Sequence, residues 1–91
     1  MENQEKNSTL FFQLVYSLQV AGMQQLGKIK NPLTDKIERN LQEAELTIDM
    51  LEMLHTKTQG NISDDEEKIL SAMLQDLKLN YVDEKAKGES S

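Results

Sequence analysis

The sequence predicts an all-α domain of three helices. Three observations carry that expectation. Leu, Glu, Gln, Lys, Met and Ala dominate the composition, and these are helix formers. The aromatic residues are only Phe11, Phe12, Tyr16 and Tyr81, too few for a β-sandwich or barrel. Apolar residues recur at spacings of three and four in three stretches, and Gly27, Pro32 and Gly60-Asn61 punctuate the chain between them. With 91 residues there is room for one domain and a thin stability margin.

The polar start MENQEKN predicts a flexible N-terminus over residues 1–8. Ser8 or Thr9 can cap a first helix, and Gly27 can close it in the left-handed conformation, which places that helix at about 9–26. Residues 28–33 form a connector, because Pro32 cannot donate to a helix ladder and biases Asn31 away from helical geometry. Thr34 is a candidate cap, with Asp35 in the following turn and an Asp35–Arg39 pair at i,i+4, so the second helix is expected at about 35–58. Gly60 ends it. In ISDDEE, Ser63 and Glu66 have the spacing of a capping box, and Asp64 to Glu67 sit where the helix dipole favours negative charge. The third helix is expected at about 64–82. The remainder, residues 83–91, is small and charged and reads as a disordered tail.

Counting faces at 100° per residue separates the three helices. The third has one apolar stripe, Leu70, Met73, Leu74, Leu77 and Tyr81, with Ile69 at its edge. The second has a 4-3-4-3 seam of Ile37, Leu41, Ala44, Ile48, Leu51 and His55, suited to long packing. Nearly opposite that seam lie Leu46, Met50 and Met53, with Leu54 beside them. The first helix is apolar nearly all round. Leu10, Leu14, Leu18 and Ala21 lie on one side, and Phe12, Tyr16, Val20 and Met23 on the far side. Helices that are apolar on several sides are buried on several sides or span a membrane. Spanning is disfavoured by the four Gln, the Ser and the Gly residues inside the run and by the lack of a flanking basic cluster. Two neighbours cannot cover every side of the first helix, and exposed apolar patches mark interfaces. The bundle is therefore expected to be completed by dimerisation, through Phe12, Tyr16, Val20, Met23, Leu46, Met50 and Met53.

The formal net charge of −6 repels phosphate backbones and anionic lipid surfaces, so neither nucleic acid nor membrane is an expected partner. The absence of cysteine excludes disulfides and fits a reducing compartment. One histidine and no cysteine leave zinc without its usual ligands. No catalytic residue, cofactor site or metal site is expected. His55 has Glu52 one turn earlier but no neighbour at catalytic spacing in the chain, and it reads as a histidine near a helix C-terminus. The 64–67 carboxylates lack the loop pattern of a calcium site and read as a charged first turn.

The chain resembles the bacterial family catalogued as domain of unknown function 1844, from about Leu10 to Val82. The resemblance rests on Leu14-Val15-x-Ser17-Leu18, Leu26-Gly27 and Asn31-Pro32. It continues through the run from Asn40-Leu41 to Leu54, then Lys57-Thr58-x-Gly60-Asn61-Ile62, Glu66-Glu67, the Leu70/Leu74/Leu77 heptad and Tyr81-Val82. Lys78 stands where the family often has Arg, which keeps the charge. The resemblance implies a short bacterial, cytoplasmic helical protein with no assigned activity. It draws attention to Asp49, Lys57, Thr58, Gly60 and Asn61 without giving them roles. The expected function is a non-enzymatic interaction module that self-associates through the first and second helices. The alternatives are a monomeric adaptor or regulator using the same patch for another protein, and a small metal-binding protein.

Overall fold

The computed structural model describes residues 2–88, in three helices: α1 (Glu2–Gln25), α2 (Leu41–Lys57) and α3 (Asp64–Ala86). The all-α, three-helix expectation holds. The bundle is elongated, 47 × 25 × 15 Å. Its core is Val15 and Leu26 of the α1 end, Leu41, Ala44, Ile48 and Leu51 of α2, and Leu70, Leu74 and Leu77 of α3. The α2 seam is thus buried as its heptad spacing predicts, from Leu41 to Leu51. Ile37, at the head of the predicted seam, is exposed.

Side-chain pairs fix the helix directions. Ser8 meets Glu66, Gln19 meets Asp76 and Lys28 meets Glu84, so α1 and α3 run parallel. His55 meets Glu67 while Glu52 meets Lys78, so α2 and α3 are antiparallel.

The first helix starts at Glu2 rather than at residue 9. No breaker separates residues 2 to 8, and early Glu side chains suit the dipole there. The Ser8 hydroxyl does not cap; it donates to the Glu66 carboxylate at 2.6 Å. Met1 lies outside the described residues. The C-terminus of α1 closes as expected. Gly27 sits at φ 77°, its N–H donates to the Gln24 carbonyl, and the Lys28 N–H donates to the Met23 carbonyl. That is the Schellman arrangement, which satisfies carbonyls the helix leaves open.

The second helix starts at Leu41, not at Asp35, and here the sequence reading is corrected. Asn31 turns the chain. Its side-chain carbonyl accepts from the Leu33 N–H, its backbone carbonyl accepts from Asp35, and its own N–H donates to Lys36. Asp35 sits at φ 58°, a left-handed position that no α-helix continues through. The Asp35–Arg39 pair does not form; Arg39 turns to Glu84 instead. Asn40 is the cap, its side chain accepting from the Glu43 N–H. Its own N–H donates to the Gln25 carbonyl, which holds the connector against the end of α1. Asn40→Ala is expected to cost about 1 kcal/mol of stability, read as a lower thermal midpoint.

The third helix begins as predicted. The Ser63 side chain accepts from the Glu66 N–H, and the Glu66 carboxylate accepts from the Ser63 N–H. It runs on to Ala86 rather than stopping at 82. The residues read as a disordered tail therefore include a helical turn over 83–86, with Glu84 buried; residues 89–91 lie outside the described residues.

Candidate interaction surfaces

The proposed interface residues fall on two separate surfaces. On α2, Leu46, Met50 and Met53 are 60%, 47% and 48% exposed, on the face opposite the buried seam. On α1, Tyr16 is 59% exposed and Phe12 is half-buried. Phe12, Gln13 and Tyr16 line one wall of an apolar groove whose other wall is Ile69 and Met73 of α3. The Phe12/Tyr16 surface therefore belongs to the α1–α3 seam, not to the back of α2. Val20 is half-buried, and Met23 packs against the core, so it is withdrawn from any outer face. Helical counting explains Met23. It lies about 80° from Val15 and in line with Phe12, on the flank of α1 that α3 covers.

Leu10 and Leu14 are half-exposed on the opposite flank of α1, the flank that carries Gln25. The Gln25 side chain accepts the Thr47 hydroxyl of α2 at 2.6 Å, which identifies that flank as the α2 side.

Two polar clusters close the ends of the bundle. At one end His55 Nε2 lies 2.8 Å from Glu67 Oε2 and 3.4 Å from Ser71 Oγ, while Ser71 Oγ donates to the same Glu67 oxygen at 2.6 Å. The Ser71 hydroxyl and then His55 hold the Glu67 carboxyl below the usual carboxylate range. Sequence spacing did not bring these three together; the antiparallel α2–α3 register does. The set resembles a nucleophile, base and acid, but its geometry is different. In a catalytic triad the acid and the hydroxyl engage different ring nitrogens. Here both face Nε2, and the hydroxyl proton goes to the carboxylate. The cluster ties α2 to α3.

At the other end stands a feature the sequence reading missed. Glu84 is 7% exposed and accepts from three cations: Lys28 Nζ at 2.6 Å, Arg39 Nη1 at 2.9 Å and Lys87 Nζ at 3.1 Å. Lys28, then Arg39 and Lys87, lower its carboxyl pKa to about 2. The Glu84 contact, with that of Asp83, raises the Lys28 pKa in turn. Arg39 also reaches the carbonyls of Glu84 and Gly88, where the negative end of the α3 dipole favours a cation.

Within the 64–67 run, Glu66 and Glu67 are committed in the same way, while Asp64 and Asp65 are exposed. Glu66 is lowered by the Ser8 hydroxyl and by the Ser63 backbone. Among the described residues no group of three or more His, Asp and Glu side chains could hold a metal ion. Among the described residues no helix is long and apolar enough to cross a membrane.

The family described as Domain of unknown function (DUF1844) matches residues 8–84. The chain belongs to the DUF1844 family. No curated protein and no solved structure matches it. The segment matching DUF1844 takes in Ser8, which meets Glu66 at one end, and Glu84, which closes the other. It also takes in the whole of α2 and most of α1 and α3, so both exposed surfaces of this DUF1844 chain lie inside the family segment. Lys78 pairs with Glu52 at 2.5 Å across α2 and α3.

Proposed function

We propose that this chain is a non-enzymatic helical interaction module of the bacterial cytoplasm, which self-associates through the outer apolar face of α2; the α1 face expected to join it lies apart, against α3. The observation that carries the reading is the second apolar stripe of α2. Leu46, Met50 and Met53 stand together on the side of the helix that neither α1 nor α3 covers. Contiguous apolar surface of this kind on a small domain marks an interface, and a second copy is the economical way to bury it. The bacterial, cytoplasmic setting rests on the family resemblance alone.

Light scattering on a sizing column tests the reading. The wild-type chain is expected at twice its 10.4 kDa mass. The Tyr16→Glu, Met50→Glu double variant is expected at the single-chain mass with its helicity kept, because both side chains are exposed. A double variant that stays dimeric overturns the reading.

A second reading is an adaptor that binds a different protein. It is favoured by the separate α1–α3 groove of Phe12, Tyr16, Ile69 and Met73, which an α2-mediated dimer would leave open. A wild-type chain that stays monomeric at high concentration would select this reading.

A further inference from the structure

We infer that the α2 helices of two copies pack antiparallel about a two-fold axis at Met50, with Glu43 of each copy against Lys57 of the other. The inference rests on the self-association reading and gives it an orientation. At 100° per residue, Glu43, Leu46, Met50, Met53 and Lys57 fall within a stripe about 80° wide. Their spacing is 3-4-3-4, the heptad pattern of a helix–helix seam. It lies diametrically opposite the buried seam of Leu41, Ala44, Ile48 and Leu51. All five residues are exposed.

The ends of the stripe carry the orientation. It begins with a carboxylate, ends with an ammonium group and is apolar between. Neither Glu43 nor Lys57 forms an ion pair within the described residues. Their neighbours behave differently: Glu52 is held by Lys78, and Arg39 by Glu84. Glu43 and Lys57 are equidistant in sequence from Met50. An antiparallel partner centred there sets Leu46 across from Leu54 and opposite charges across from each other at both ends. A parallel partner would set Glu43 against Glu43 and Lys57 against Lys57. Charge pairing at the edges of an apolar seam sets partner orientation, so the stripe selects the antiparallel form. Asp49, on the flank towards α3, is the residue that lies near its own copy in this arrangement, the like-charge approach the apolar contacts must outweigh.

The test uses the full chain and two kinds of variant. Glu43→Lys and Lys57→Glu are each expected to weaken the dimer about tenfold, because two edge pairs turn from attractive to repulsive. The Glu43→Lys, Lys57→Glu double variant is expected to return near wild-type affinity. Both single changes oppose the α2 dipole, and the double change does not relieve that, so recovery reports pairing between chains rather than helix stability. The chain has no cysteine, which makes cross-linking direct. Met50→Cys is expected to form a disulfide dimer. Leu46→Cys is not, since the two copies of residue 46 would be offset by about 12 Å along the axis, beyond disulfide reach. A dimer that ignores both charge changes, or that cross-links readily through Leu46→Cys, overturns the antiparallel pairing and leaves self-association standing. A wild-type chain that is monomeric at every concentration overturns both.

Discussion

Glu84→Gln is expected to lower the stability of the folded chain by about 2 kcal/mol at neutral pH. The substitution keeps the volume and removes the charge. It leaves Lys28 and Arg39, with side chains only 26% and 14% exposed, facing a neutral amide. Exposed ion pairs contribute up to about 1 kcal/mol, and removing one partner of a fully buried pair costs about 3–5 kcal/mol. Glu84 lies between these limits. It is buried itself, but Lys28 and Lys87 approach it from the solvent side. A chain of this length has roughly 5–14 kcal/mol of stability in all, so the loss should lower the thermal midpoint by about 10 °C.

The same residue gives the chain an acid limit. The folded-state pKa of Glu84, about 2, lies below its ordinary value of 4.5. A carboxyl lowered on folding contributes stability that is fully present above the unfolded pKa and is lost as pH falls through the folded one. The window therefore runs from about 4.5 down to about 2. Glu66, Glu67 and Asp83 are shifted in the same direction and add to the acid loss. Glu84→Gln removes one titrating group. The gap in thermal midpoint between wild type and variant should thus be widest near pH 7 and narrow towards pH 2.5. Thermal melts followed by circular dichroism at the two pH values measure it. An equal gap at both would mean that the amide fails for reasons of shape and that the charge is not what holds the corner together.

Why this corner escaped the sequence shows where local reading stops. The capping box at Ser63 and Glu66, the left-handed Gly27 and Gly60, and the buried α2 seam depend on residues a few positions apart, and each is visible as a short pattern. The Glu84 cluster joins Lys28, Arg39 and Glu84, which only the bundle brings together. Taken alone, the run from Asp83 to Lys87 has the composition of a solvated tail. The error at the start of α2 has a different source. Thr34-Asp35 looked like a cap followed by an acidic first turn, but the Asn31-Pro32 turn places Asp35 at positive φ. A signal for the true start was present, since Asn40-x-x-Glu43 repeats the cap-to-acid spacing of Ser63-x-x-Glu66. The outer stripe of α2 was legible because periodicity alone places it. That Phe12 and Tyr16 border α3 was not, because periodicity gives a helix its faces without saying which neighbour each one meets.

Gly22→Val is expected to be the most disruptive single change in α1, costing about 3 kcal/mol. In the sequence Gly22 interrupts an apolar run, and glycine in a helix interior costs about 1 kcal/mol relative to alanine. The fold shows what offsets that cost. A Cβ at position 22 would lie 2.8 Å from Leu77 Cδ2, 3.1 Å from Leu77 Cδ1 and 3.4 Å from Thr47 Cγ2. All three helices meet here, and the missing side chain sets how closely they approach. For Gly22→Ala the gain in helix propensity opposes a single overpacked methyl, so the change should be small. Valine adds two further methyl groups and regains less propensity. Leu77 is fully buried and has little room to rotate, and the Thr47 hydroxyl is already held by Gln25. Steric origin can be checked by truncating the obstacle. Leu77→Ala alone should cost about 3 kcal/mol through the cavity it leaves. In the Gly22→Val, Leu77→Ala double variant the valine fills part of that cavity, so the combined loss should fall well short of the sum. Additive losses would show that the valine acts through the α1 backbone, and that the contact at Gly22 does not set the spacing on which both outer surfaces depend.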